Sequence, residues 1–261
     1  MKKKKLALLG CGFLNQIVGN AVLDGIIPEY EIVAVLGRNP AKTRAVANHY
    51  GAKACTTIEE LMATEPEYIS EAANAQAVRD YTETILKGKA SIIVLSTGAF
   101  IDKEFYNKMV ETARENEQKI IIAGGAMGGL GILRTAALMN PIKTTIHSNK
   151  WPGQLYYSPL YREGLMDITE PTRVYTGTAQ NIVENFSNGF NVILATALAS
   201  SGPEETKFNI DVVPNFRGED YTIKVEGKEI AYDINILSYN YGIAGWSNVQ
   251  MLQNIAQPVV F

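Results

Sequence analysis

The chain has 261 residues, a formal net charge of -3 at neutral pH, 46% hydrophobic and 20% charged residues. That balance excludes most disordered chains and leaves room for a sizeable core, in one large domain or two modest ones. With 24 basic against 27 acidic residues there is no electrostatic footprint for nucleic acid, and two cysteines, Cys11 and Cys55, are too few for a disulfide framework.

In chain order, residues 5–9 form an apolar run ending in Gly10, the pattern of a buried parallel strand. The preceding lysines imitate the start of a signal peptide. Gly10, Gly12 and the polar pair Asn15-Gln16 interrupt the apolar stretch, so a strand explains it better. A helix is predicted over 13–23 and a strand over 30–36, stopped by Gly37. Asn39-Pro40 then opens a helix to about Tyr50, with Asn39 as cap and Pro40 at the first helical position. A short capped helix at 57–61, a strand at 68–72, a helix at 75–87, a strand at 91–95, a helix at 102–116 and a strand at 119–123 complete the alternation. Strands separated by helical patterns imply a parallel sheet with right-handed crossovers.

The character changes after Gly124. A glycine-dense passage runs from Gly124 to Gly131, followed by a helical pattern at 132–139 and a strand at 144–149. Residues 151–170 are irregular, and a short strand is predicted at 174–177. Helices are predicted at 179–186 and 191–200. The segment from Asn185 to Pro203 carries no charge, and its apolar part, 190–199, is too short to span a bilayer; it reads as a buried helix. Segments 207–213, 221–225 and 228–235 alternate like antiparallel strands with Glu226-Gly227 as hairpin turn, and 246–256 reads as a final helix. No internal repeat and no metal-ligand spacing appear. The fold class is therefore α/β, a doubly wound parallel sheet plus a second α+β domain with a mixed or antiparallel sheet. The expected domains are 1–125 with 237–261, and 126–236. A cytoplasmic location, no membrane and no nucleic-acid partner are expected.

Gly10-Cys11-Gly12-Phe13-Leu14-Asn15 lies between a predicted strand and a predicted helix. There the first glycine permits the tight turn, the second lets the backbone approach a pyrophosphate, and the helix N-terminus offers unpaired N–H groups. Asn15 stands where the third glycine of the dinucleotide fingerprint is usual. An NAD site usually places an acid near the end of the second strand for the ribose 2′-hydroxyl. Here that strand ends Leu36-Gly37-Arg38-Asn39, and Arg38 offers a planar fork to a 2′-phosphate. NADP(H) is therefore expected in preference to NAD(H).

Several passages together resemble the L-aspartate dehydrogenase family: Glu71-Ala72-Ala73-Asn74, Ser96-Thr97-Gly98-Ala99-Phe100, Gly125-Ala126-Met127-Gly128-Gly129-Leu130, the block 186–192 ending Asn191-Val192, and Pro214-Asn215. The resemblance covers nearly the whole chain. It implies a Rossmann domain, an α/β substrate domain and a C-terminal helix returning to the first. It also implies hydride exchange between NAD(P) and aspartate or its oxo acid. By motif it assigns cofactor contacts to Ala126 and Asn191 and the phosphate loop to Gly10 and Gly12; Phe13, Leu14, Asn74 and Gly98 are further expected cofactor-binding residues. The family's catalytic histidine follows the Pro-Asn pair at the start of a strand, and this chain has Tyr221 there. The aspartate of the glycine cluster is Gly131. The conserved Thr-Arg-Lys-Pro-Pro passage becomes Ser148-Asn149-Lys150-Trp151-Pro152, and the segment before the last helix becomes Tyr241 to Ser247.

Three residues are candidates for the chemistry. Tyr221 would donate a proton if a neighbouring cation lowered its pKa. Lys150 matches a family lysine and would hold a substrate carboxylate. His147 lies on the strand just before it. Arg134, Arg162 and Arg173 are further possible carboxylate donors. The aromatic residues Trp151, Tyr156, Tyr157, Tyr161, Tyr239, Tyr241 and Trp246 are expected mainly in core or subunit packing. Cys11 is expected to pack rather than react, and His49 to end a helix. The leading reading is an NADP-preferring oxidoreductase acting on a small amino or imino acid or related carbonyl compound. The alternatives are a catalytically silent dinucleotide-binding protein, as sensor or assembly partner, and a carbonyl reductase using Tyr221 as acid. A homodimer or higher homo-oligomer is expected, because the second half offers a sheet face to a twin.

Overall fold

The computed structural model describes residues 2–186 and 190–261; Ser187, Asn188 and Gly189 of the 186–192 block lie outside them. The chain divides into two units, Met1–Gly125 with Gly242–Phe261, and Ala126–Tyr241.

The first unit holds a six-stranded sheet in the order β3-β2-β1-β4-β5-β6. Its strands are β1 (Lys4–Leu9), β2 (Tyr30–Leu36), β3 (Lys53–Cys55), β4 (Tyr68–Glu71), β5 (Ser91–Val94) and β6 (Ile120–Ile122). Every pairing is parallel. Strand order reverses between β1 and β4, the switch point where a doubly wound sheet opens a crevice at its carboxyl edge. Helices α1 (Phe13–Leu23), α2 (Pro40–His49), α3 (Ile58–Met62), α4 (Ala75–Lys87) and α5 (Lys103–Glu115) connect the strands, and α9 (Ile243–Ala256) returns to the unit. Leu6, Ala7, Leu8 and Leu9 are all buried, because β1 has covered faces on both sides. In α4 the buried positions Val78, Thr82, Ile85 and Leu86 recur at helical spacing, with Asn74 capping the start and Gly88 closing the end. The edge strand β3 escapes sequence reading because three residues are too short to show a period. A 3-10 turn at Thr97–Ile101 follows β5.

A buried polar network joins α1, β4 and α9. Asn15 is fully buried, and its Nδ2 donates to the carbonyls of Leu9 (2.9 Å), Gly10 (2.9 Å) and Ser70 (3.1 Å). Ser70 Oγ donates to Asn15 Oδ1 at 2.8 Å and accepts from Asn248 Nδ2 at 2.8 Å. Asn15 thus does by hydrogen bonding what a third glycine does by close packing. Tyr30 adds a second tie, its hydroxyl donating to Leu252 O at 2.8 Å. Helix α9 begins at Ile243, three residues before the predicted start, and Gly245 lets it approach α1: a Cβ there would stand 2.8 Å from Leu14 O.

The second unit holds a five-stranded sheet in the order β11-β10-β7-β9-β8. Its strands are β7 (Ile142–Lys150), β8 (Thr172–Thr178), β9 (Lys207–Val212), β10 (Glu219–Gly227) and β11 (Ala231–Ser238), with helices α6 (Leu130–Met139), α7 (Ala179–Asn185) and α8 (Asn191–Ala199). The sheet is mixed, for β7 and β9 run parallel. β9 does not neighbour β10 as the expected antiparallel succession has it; β7 lies between them. The hairpin turn also moves. Glu226 pairs with Ala231 inside the ladder, so residues 228–230 make the turn and β11 extends to Ser238.

Alternation sorts the strand residues onto two faces. Ile146, Ile210, Ile223 and Tyr221 join Leu133, Ala136, Ile193 and Ala197 of α6 and α8 in one core. The other face carries Lys143, His147, Lys207, Asp211 and Lys224, which are half-buried or exposed. Within the uncharged segment, α8 is the buried helix expected there, with Ile193 to Ala197 all buried. Among the described residues no helix is long and apolar enough to cross a membrane.

Replacing Ser70 by Ala removes the central member of the Asn15–Ser70–Asn248 network and strands buried amide groups. We expect a loss of about 1–3 kcal/mol in unfolding free energy, read by chemical denaturation.

Candidate active site

Four loops meet at the carboxyl edge of the first unit's sheet. The β1–α1 loop begins at Gly10, whose φ of 104° lies in the region that favours glycine. A Cβ on Gly10 would stand 2.6 Å from Ala72 O, so this loop rests on the β4–α4 loop. At Gly12 a Cβ would meet nothing within 4 Å, which leaves open space over the backbone. Gly12 caps α1 without a side-chain hydrogen bond, and no acidic residue lies in the first turn. The other helices that connect strands of this sheet, α2 to α5, are capped by Asn39, Thr57, Asn74 and Asp102. Only α1 therefore presents an N-terminus unclaimed by a side chain among these described helices. An open cradle at a helix N-terminus fits a dinucleotide pyrophosphate.

Cys11 is a packing residue. Its Sγ lies 3.8 Å from Thr43 Oγ1, and a Cβ on Gly37 would stand 2.6 Å from that sulfur. The phosphate loop is thereby seated against the β2–α2 loop, which carries Arg38. Arg38 is exposed, beside Asn39, whose Oδ1 accepts from Lys42 N–H. Phe13 is exposed and Leu14 half-buried at the first turn of α1. Asn74 commits its Oδ1 to Ala77 N–H at 2.9 Å, so its side-chain oxygen serves the helix. Gly98 lies in the 3-10 turn, its carbonyl 3.5 Å from Arg79 Nη2.

Sequence reading assigned no role to Glu71, at the end of β4. It is fully buried without a basic partner among the described residues, and it accepts N–H bonds from Ala73 (2.8 Å), Leu95 (3.2 Å) and Ser96 (2.9 Å). Burial pushes its carboxyl up, and the bonds from Ser96, Ala73 and Leu95 pull it back. Its carboxylate holds the β4–α4 and β5 loops together. The only signal in the chain was an acid ending an apolar strand.

In the second unit Tyr221 and Lys150 come together. Lys150 Nζ lies 5.2 Å from the Tyr221 ring centroid and 3.5 Å from Glu219 Oε1. Tyr221 is buried, and burial pushes its phenol above the usual range, helped by Glu219, Asp220 and Tyr241. The condition set for Tyr221, a pKa lowered by a cation, is not met: Lys150 sits over the ring face, and desolvation decides the sign. His147 does not join them. It projects from β7 at an odd position, onto the face opposite Tyr221 and Lys150, where its Nε2 lies 3.5 Å from Asp211 Oδ2 and 3.3 Å from Asn149 Oδ1. Arg173 grips the same Asp211 through Nε and through Nη2 at 3.2 Å. His147 therefore cannot reach an atom that Tyr221 and Lys150 serve. Arg162 donates to Arg173 O at 3.4 Å, and Arg134 is exposed on α6.

Ala126 is buried in the second unit's core. Thr196 Oγ1 on α8 lies 3.3 Å from Met127 Sδ, which draws the Ala126 segment to the helix that Asn191 begins. The aromatic residues expected in packing are mostly at the surface: Trp151, Tyr156, Tyr157, Tyr239, Tyr241 and Trp246 are all exposed. His49 ends α2, as expected, with its ring 4.9 Å from that of Tyr50.

The doubly wound sheet and its open first loop define a dinucleotide-binding protein. A family described as "Homoserine dehydrogenase, NAD binding domain" matches residues 10–123, and one described as "Aspartate dehydrogenase, C-terminal" matches residues 131–255. An L-aspartate dehydrogenase of Methanococcus maripaludis is 28% identical over 264 residues, covering 98% of each chain. Another, of Methanocaldococcus jannaschii, is 26% identical with the same coverage. The crystal structure of an aspartate dehydrogenase from Thermotoga maritima superposes with a TM-score of 0.79 at 19% identity, covering 99% of each chain. The chain belongs to the aspartate dehydrogenase family, as an aspartate dehydrogenase-like oxidoreductase.

Gly10→Ala forces a left-handed backbone on alanine and drives its Cβ into Ala72 O. We expect about 1–3 kcal/mol of lost stability, read by denaturation, and weaker dinucleotide binding in a fluorescence titration.

Proposed function

We propose that the chain interconverts a small amino acid and its oxo acid with NADP(H), the direction being open to reductive amination. The observation that carries this reading is the unclaimed α1 N-terminus in the first unit, whose loop is seated against the loop bearing Arg38; within the second unit the Tyr221–Lys150 contact supplies candidate groups for the chemistry. The relatives named as L-aspartate dehydrogenases support action at a carbon bearing nitrogen. In balance, an oxo acid, ammonium, NADPH and a proton give an amino acid, NADP+ and water.

Gly10 and Gly12 would admit the pyrophosphate, the first-turn N–H groups of Phe13 and Leu14 would bind it, and Arg38 would pair with the 2′-phosphate. Ala126 and Asn191, matched to the family by motif, would contact the cofactor, together with Asn74 and Gly98. Bound nicotinamide supplies or accepts the hydride. Lys150 would orient a substrate carboxylate with its ammonium. Tyr221, held as a neutral phenol by burial, would act as a hydrogen-bond donor to the reacting oxygen or nitrogen; as a proton donor it would need a partner to resupply it. His147, on the other face, has no part in this scheme.

The test is an NADPH and NADH titration followed by absorbance assays with ammonium and a panel of oxo acids, aldehydes and ketones. Tight binding with no turnover across the panel would support the silent dinucleotide-binding protein instead. Arg38→Ala should weaken NADPH binding by about tenfold or more and leave NADH nearly unchanged, since one charge-assisted contact is worth about 1.5–3 kcal/mol; equal losses for both cofactors would remove Arg38 from the 2′-phosphate. Tyr221→Phe should slow the chemical step by about 10²-fold or more in single turnover, with cofactor affinity preserved. An unchanged rate would remove Tyr221 from the chemistry.

A further inference from the structure

Resting on that reading, the charges around Lys150 narrow the substrate. On the helix-facing side of the second unit's sheet, Lys150 is the one basic residue among the described strand positions. Its ammonium is already engaged. Glu219 Oε1 lies 3.5 Å away, and both side chains are largely withdrawn from solvent, at 13% and 23% exposure. Bulk salt screens such a pair weakly. Asp220, the next residue, points to the other face, where it accepts from Asn149 N–H at 2.5 Å and Asn149 Nδ2 at 2.6 Å, so Glu219 is the carboxylate that faces Lys150. Burial is the main cause of the upward shift at Tyr221, and Glu219 and Asp220 add to it. Two of the unit's arginines are already committed, and Arg134 and Arg217 are exposed outside the strands. Arg173 is held by Asp211 on the opposite face, and Arg162 is turned to the Arg173 carbonyl.

We propose that Glu219 is a specificity-determining residue: it takes from the protein's own side the place beside Lys150 that a second substrate carboxylate would need, so the site selects substrates with a single carboxylate. An ammonium has three donors, so Lys150 can serve Glu219 and one substrate carboxylate together. A dicarboxylate brings a further charge that meets Glu219, with no second basic residue among the described strand positions of that face. The same negative surroundings favour the ammonium of a zwitterionic amino acid. The substrate class is a small monocarboxylic 2-oxo acid with ammonium, or the corresponding amino acid.

The experiment compares pyruvate and oxaloacetate, each with ammonium and NADPH, in the wild-type protein and in Glu219→Gln. In parallel, propionate and succinate are titrated by calorimetry with NADP+ saturating. The wild type should favour pyruvate in kcat/KM by about tenfold or more, and Glu219→Gln should move the ratio towards oxaloacetate by about tenfold. Succinate should bind measurably only to the variant. A wild type that prefers oxaloacetate, or a ratio unmoved in Glu219→Gln, overturns the proposal. If neither oxo acid is turned over, the reductive-amination reading fails separately, and the calorimetry still decides: succinate binding gained in Glu219→Gln supports the assignment to Glu219, and equal succinate binding to both proteins, or binding to neither, overturns it. Propionate binding to both proteins shows that the variant has kept its fold at Lys150.

Discussion

The buried chain of amides and hydroxyl from Asn248 through Ser70 to Asn15 is the constraint on which the first unit's working edge depends. Asn15 holds the carbonyls of Leu9 and Gly10, the two residues at which β1 gives way to the phosphate loop. Ser70 ties the same point to β4, across the switch in strand order, and Asn248 brings in the returning helix. Buried polar groups of this kind are costly unless paired, so the network admits few alternative arrangements. Glu71, one residue beyond Ser70, continues the lacing to the next two loops. The loop geometry at Gly10 and Gly12 is thus set from beneath, by side chains that touch no cofactor.

This accounts for a fingerprint that looks incomplete in one dimension. A glycine at position 15 would let α1 lie close against the strands. Asn15 instead fills the space and satisfies the carbonyls that the turn leaves bare. Cys11 and Gly37 do the corresponding work on the other side, where a sulfur fits only because its neighbour has no Cβ.

The second unit is governed by strand alternation. Tyr221 and Lys150 meet because antiparallel neighbours place them on one face, and His147 is excluded because it stands at an odd position on the same strand. In sequence His147 and Lys150 are three apart and look like partners. On a strand an odd separation puts two side chains on opposite faces. Glu219 shows the converse. Far from Lys150 along the chain, it becomes its ion-pair partner once β10 lies beside β7. The sign of the Tyr221 shift likewise depended on burial, which outweighs a cation stacked on the ring face.

Much of the first unit was legible because local signals agreed with the fold: continuous apolar strands, Asn39-Pro40 and Asn74 as caps, and glycines closing helices. The phosphate loop was legible for the same reason, since strand, turn and helix are contiguous. The second unit was less so. The parallel pairing of β7 with β9, the true hairpin turn at 228–230 and the sharing of Lys150 with Glu219 all join segments distant in sequence. The sequence by itself determined the doubly wound class, the cofactor loop and the family, because these rest on short-range periodicity and contiguous motifs. Only the tertiary structure decided which side chains share a face, which charges are already paired and which pKa values move, because strand neighbours, burial and electrostatic partners are set by contacts that chain order does not encode.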